Sequence, residues 1–214
     1  MSFVMSASLD QPARRGTPPE DTRRRIEDTA ERLFRTMGYQ KTAVADIARE
    51  LGMSPANVYR FFASKSAINE AIAQRMLGAM IAEIDGIAAG HGTAPDRLRR
   101  LFSALFELKL AAFFEERRLH DMVGAAMEES WGVVNDYIQR VEAATARVLA
   151  DGMASGDFAP GDPATLAKTV LHTMVAWNHP TLLAWCIGRK GQSVEELRAQ
   201  VADMTAFVLR GLRP

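Results

Sequence analysis

Residues 42–62 have room for two short helices and one tight turn, and little else. Val44, Ile47, Ala48 and Leu51 recur at the spacing of one helix face, and Gly52 ends the run. Ser54-Pro55 then opens a second short helix reaching about Phe62. Serine accepts a bond from an orphan backbone N–H at an N-cap, and proline at the first helical position loses nothing by lacking its own. Gly52 supplies the positive φ that lets two helices meet at a steep angle, and Ala48 is small enough to sit at the crossing. A short helix, a glycine turn and a capped short helix make a helix-turn-helix, whose second helix fits the major groove of duplex DNA.

The flanking periodicity is helical throughout. Ile26, Ala30, Leu33, Phe34 and Met37 define a first helix that stops at Gly38. Ser64 caps a long helix with Ile68, Ile72, Met76, Met80, Ile84 and Ile87 inward, broken at Gly90-His91-Gly92. Beyond it the pattern predicts helices over 94–114, 117–127, 129–154, 163–187 and 194–212. Asp162-Pro163 starts one of them, and Ser193 with Glu196 forms a capping box at another. No alternating β-branched run occurs, so the expected fold is all-α. Its units are a disordered N-terminal arm over 1–19, a three-helix helix-turn-helix domain over 20–66, a connecting helix over 67–92 and a C-terminal helical domain over 93–214. The arm holds Pro12, Pro18, Pro19, Arg14 and Arg15, with no hydrophobic period.

Thr42, Ile47-Ala48, Gly52, Met53, Ser54 and Tyr59-Arg60-Phe61-Phe62-Ala63-Ser64-Lys65 stand in the order and spacing of one known signature. Over residues 20–70 the segment resembles the DNA-binding domain of the tetracycline-repressor (TetR) family. Ala56 stands where glycine is frequent and Phe61 where histidine or tyrosine often is, which bears on the DNA sequence read. The resemblance implies a homodimer that binds a palindromic operator on double-stranded DNA and leaves it when a small-molecule effector occupies the C-terminal domain. Repression is the outcome the family habit implies.

The residue types suit that role. Thr42 is expected to cap the second helix and offer its hydroxyl to a phosphate at that helix's positive end. Ser54, Tyr59 and Lys65 are expected to position the protein on the backbone, with Ala56 on the same surface. Asn57 and Arg60 are the candidates for base edges, Asn for adenine and Arg for guanine. Arg23, Arg24 and Arg25 are expected to hold phosphates across the groove.

The C-terminal domain has no comparable motif. Leu166, Val170, Met174 and Leu182, with Leu197, Val201, Met204, Phe207 and Val208, give the last two helices apolar stripes that would pair with a symmetry mate as a four-helix bundle, where they do not face the chain's own core. A ligand pocket is expected among the middle helices. Phe106, Phe113, Met127, Trp131 and Trp177 would supply apolar surface, and His120, His172 and His179 polar anchors. The histidines with Glu116, Asp121 or Glu128 offer the residue types of a metal set. Without a His-x-x-x-His or Cys-x-x-Cys spacing, no metal and no cofactor are expected.

Charge is neutral overall, yet residues 1–75 hold 12 Lys+Arg against 9 Asp+Glu, and the remainder 14 against 17. A basic first third on an acidic body fits a DNA reader carried on a regulatory domain. The lone Cys186 allows no internal disulfide, and no run approaches a membrane span, so a cytoplasmic protein is expected. Glycine-rich phosphate loops and nucleophile elbows are missing, so an enzyme is not expected. The competing reading is a helical ligand-sensing or protein-interaction module without specific DNA binding. Tight, sequence-selective and salt-dependent DNA affinity separates the two.

Overall fold

Pro19 begins the first helix, α1 (Pro19–Met37), at the position where its missing N–H costs nothing. The helix stops at Gly38, whose N–H donates to the Phe34 carbonyl at 2.9 Å. Next come α2 (Val44–Glu50), α3 (Pro55–Tyr59) and the long α4 (Lys65–Ala88). The body is built from α5 (Ala94–Glu115), α6 (Trp131–Ser155), α7 (Pro163–Thr173), α8 (Val175–Asn178), α9 (Pro180–Gly188) and α10 (Val194–Gly211). This computed structural model describes residues 18–115 and 131–214, all of it helix and connecting loop. The arm as far as residue 17, and the helix expected over 117–127, lie outside the described residues.

Two hydrophobic cores organise these helices. In the first, Ile26, Phe34, Tyr39, Ile47, Val58, Phe62, Ile68 and Ile72 bring together α1 to α3 and the start of α4. Phe62 is buried there as the plug of the small domain, and Phe34 meets Tyr39 edge to face at 5.1 Å between ring centres. Each such side chain contributes roughly 1.5–3 kcal/mol by leaving water. The second core joins α4 to α10 through Ile84, Leu98, Phe102, Phe106, Tyr137, Val148, Met174 and Leu209 among others.

Helix α4 therefore belongs to both cores. Ile68 and Ile72 lie in the first, Ile84 and Ala88 in the second. Ion pairs fix it to both domains. From its middle, Arg75 donates to Asp28 at 2.7 Å and also pairs with Glu31, both on α1. Near its C-terminal end, Asp85 accepts from Arg140 at 3.1 Å and from Arg147, both on α6. Arg147, ahead of Arg140, holds the Asp85 carboxyl below the usual carboxylate range. Arg97 of α5 closes the joint by donating to the Ala88 carbonyl at 2.8 Å and to Asp151 at 2.9 Å.

The terminus signals read from the sequence at Asp162, Ser193, Ser54 and Ser64 all act as side-chain caps. The helix expected over 163–187, in which Pro180 signals a kink or restart, is not continuous. It breaks at Met174 and again at His179-Pro180, giving α7, α8 and α9. Pro180 accounts for the second break, since proline cannot donate to the carbonyl one turn back and forces the preceding residue out of the helical region. His179 is extended there, with φ −92° and ψ 121°.

Candidate nucleic-acid interface and ligand region

The turn between α2 and α3 is held by backbone geometry. Gly52 has φ 64°, and the Met53 N–H donates to the Ala48 carbonyl at 2.9 Å. Ser54 Oγ accepts the Asn57 N–H at 3.2 Å and so starts α3. With Val58 buried beneath it, α3 turns Ala56 outward, with Tyr59 (51% exposed) and Arg60 at its end. An open groove of about 420 Å3 lies beside this helix, lined by Gln40, Lys41, Ala43, Tyr59, Ser64 and Lys65 among others. An open, polar groove with a tyrosine hydroxyl on one wall and lysine on another suits a nucleic-acid backbone.

Several expected contacts have other partners. Thr42 is not the cap of α2; Ala43 is, and Thr42 is buried with its hydroxyl donating to the Gly38 carbonyl at 2.9 Å. The positive end of α2 is already occupied, because Asp46 accepts the Ala43 N–H at 2.9 Å. That bond, followed by Arg49, holds the Asp46 carboxyl below its ordinary value. A phosphate at this helix end would meet a carboxylate, so the attraction must come from side chains. Lys65 donates to the Tyr39 carbonyl at 2.9 Å and lies 4.3 Å from the centre of its ring. Arg23 donates to the Phe61 carbonyl at 3.0 Å and covers the Phe62 ring at 4.1 Å, which makes it part of the domain's packing. Arg24 and Arg25 are exposed beside it. The Asn57 amide, half-buried, points to the Met53 sulfur at 3.8 Å and must turn to reach a base.

The residues expected to line a ligand pocket scatter. Phe106 is buried in the second core, and His172 is exposed on α7. Trp177 is half-buried and donates its indole N–H to Gln200 of α10 at 3.3 Å. His179 caps the α8–α9 break, with a buried Nδ1 that has no partner among the described residues. The side chains of Phe113 and Trp131, and the whole of His120 and Met127, lie outside the described residues. No group of three or more His, Cys, Asp or Glu placed to hold a metal occurs among the described residues.

Lys109 and Tyr137 carried no signal in the sequence. Lys109 Nζ lies 4.2 Å from the centre of the Tyr137 ring, in the second core. Burial lowers the ammonium pKa to about 8 and raises that of the phenol to about 12. A lysine on an amphipathic helix normally marks the solvated face, so only the packing distinguishes this one.

On the last helices the expected stripes divide. Val170, Met174, Leu197, Val201 and Val208 face the chain's own core. Val175, Leu182, Trp185 and Phe207 are exposed, Phe207 by 63%. No helix among the described residues is long and apolar enough to cross a membrane.

Comparison with known proteins agrees with this architecture. Residues 26–72 match the bacterial regulatory proteins of the tetR family, and residues 94–202, half of the chain, match the tetracyclin repressor-like C-terminal domain. A search among proteins of curated function finds no match. Among solved structures, a transcriptional regulator of the TetR/AcrR family from Thermobifida fusca is 25% identical, with a TM-score of 0.69 over 91% of this chain and 100% of that one. A proposed transcriptional regulator from Saccharomonospora viridis, in complex with choline, is 26% identical, with a TM-score of 0.66 over 87% and 96%. The regulator FadR from Bacillus subtilis, in complex with stearoyl-CoA, shares the fold at 19% identity, with a TM-score of 0.63 over 89% and 99%. With both of its domains matched in order and its helices superposing along nearly the whole length, the chain belongs to the TetR family of transcriptional regulators.

Proposed function

We propose that this protein is a dimeric repressor that reads a palindromic operator through α3 and releases it when a small molecule binds the C-terminal helices. The observation that carries the reading is the outward face of α3. Ala56, Tyr59 and Arg60 are exposed on a capped helix whose other side is locked into the first core by Val58. A rigid short helix with a free polar face is what a major groove admits. Arg60 is the base-reading candidate. Tyr59, Ser54 and Arg24, with Lys41 on the adjoining groove, position the backbone. Thr42 and Lys65 act by holding the head together, as their hydrogen bonds indicate.

Release follows from α4. Fixed to the head by Arg75 and to the body by Asp85, it transmits any shift of α6 to the reading helices. A ligand drives release only as far as it binds the released form better than the operator-bound form. That similar structures hold choline or stearoyl-CoA supports small-molecule sensing, without indicating which ligand this chain takes.

The test is fluorescence anisotropy on DNA from upstream of the protein's own gene and on other genomic fragments. Scrambled DNA at two salt concentrations and a Tyr59→Ala, Arg60→Ala double variant serve as controls. Selective binding that the variant loses is expected. Equally weak binding to every fragment would overturn the DNA reading and leave a ligand-sensing module.

A further inference from the structure

Helices α5 and α6 run antiparallel. Arg97 meets Asp151 near one end of the pair, and Lys109 meets Tyr137 near the other. Among the described residues no carboxylate pairs with the Lys109 ammonium. Glu107, its neighbour on α5, is held by Arg198 of α10 at 2.6 Å and 3.0 Å. Tyr137 is only 7% exposed, and its hydroxyl has no hydrogen-bond partner among the described residues.

Further polar atoms without a partner among the described residues lie at the junction of α8 and α9, two helices that pack against α5. The Glu107–Arg198 pair sets the height of α10 against α5, and Gln200, two residues further on, accepts the Trp177 indole N–H. Next to Trp177 come Asn178 and His179, whose Oδ1 and Nδ1 are buried without a partner among the described residues. Native cores rarely leave buried polar atoms unpaired. The Tyr137 hydroxyl is such an atom, and the half-buried Lys109 ammonium lies over its ring.

We propose that Lys109 and Tyr137 form the anion end of a binding site for a monocarboxylate with an apolar body. The ammonium pairs with one carboxylate oxygen and the phenolic hydroxyl donates to the other. One cation and one hydroxyl match a single charge on two oxygens, whereas a phosphate dianion would keep an uncompensated charge in the core. Phe106 and Leu110 on α5 and Val141 on α6 are buried beside the pair and suit an aliphatic or aromatic body. Lys109 is only half-buried, so an anion reaches it from outside. This inference rests on the C-terminal helices being the ligand-binding region and names the class of ligand.

Isothermal titration calorimetry on the full chain tests it. The probes are octanoate and benzoate, their neutral amides, and octyl and phenyl phosphate. At least one carboxylate is expected to bind about tenfold or more tightly than its amide, a gap that Lys109→Met abolishes and Tyr137→Phe narrows by about fivefold. Circular dichroism checks the fold of both variants, and the amide comparison decides without either of them. Amides binding as well as acids, phosphates binding better than carboxylates, a gap that survives Lys109→Met in a folded variant, or no binding by either carboxylate would each overturn the proposal. Operator affinity of the unaltered chain with no probe present tests the DNA reading by itself. A carboxylate that binds through Lys109 yet leaves operator affinity unchanged would uphold the site and sink only its role as effector.

Discussion

The Lys65 ammonium donates to the Tyr39 carbonyl at 2.9 Å while lying 4.3 Å from the centre of the same residue's ring. The start of α4 is thereby tied to the turn between α1 and α2. Half-buried and charge-assisted, the bond is expected to contribute about 1–2 kcal/mol. Urea unfolding of Lys65→Met should show that loss. A midpoint matching the parent would mean that the tether adds nothing.

Arg60 and Arg24 should separate in DNA binding. Arg60→Ala is expected to cost about 1–3 kcal/mol and to relax preference at one base pair. Arg24→Ala should weaken all sequences alike and reduce the slope of affinity against salt by about one. Anisotropy on operator variants at several salt concentrations reads both effects. An Arg60 variant with unchanged base preference would move that residue to a backbone role.

Stability should pass through a maximum near pH 10. Burial lowers Lys109 to about 8 from 10.5, so in that interval the unfolded chain holds a proton that the folded one has released. Stability then rises with pH, by at most about 1.4 kcal/mol per unit. Tyr137 moves the other way, from 10.0 to about 12, so above pH 10 the folded chain keeps a proton that the unfolded one loses, and stability falls. Chemical unfolding between about pH 7 and 12 should show both limbs. Lys109→Met should remove the rising limb and Tyr137→Phe the falling one.

Two glycines should differ in why they resist change. A Cβ on Gly152 of α6 would run into the Phe158 ring and the Ala94 side chain, so Gly152→Ala is expected to cost about 1–3 kcal/mol by overpacking. Gly52 has open space around it but a φ of 64°, so Gly52→Ala should cost about 1–2 kcal/mol through the backbone alone. Gly52→Asn should recover part of that loss, because asparagine tolerates this region; Gly152→Asn should be worse than alanine.

Phe207 and Leu182 test the dimer. With both exposed on the last helices, Phe207→Glu combined with Leu182→Glu should lower the mass measured by light scattering to that of one chain. Affinity for a two-half-site operator should fall with it, while unfolding stays cooperative. An unchanged mass would place the dimer contact elsewhere.

The reading head was legible in the chain because its signals are local. Ser54 caps a helix three residues away, and Gly52 sets its own φ. The period of Val44, Ile47, Ala48 and Leu51 requires only that one face be buried. Such features depend on backbone propensity and on neighbours within one turn, so they are settled before the fold is complete.

Partners far apart in sequence were decided by packing alone. Nothing near Thr42 announces that its hydroxyl turns inward to Gly38, or that Asp46 takes the end of α2 from any phosphate. Period alone does not say which stripe of α10 meets the core and which, with Phe207, stays outside, because several faces of that helix are apolar. Lys109 and Tyr137 are unremarkable in the sequence and meet only because α5 and α6 run antiparallel. The sequence by itself determined an all-helical chain with a helix-turn-helix at its head, since backbone hydrogen bonds and helix ends are local. The tertiary structure decided which charges and hydroxyls remain free to act, since desolvation and long-range partners exist only once the helices have packed.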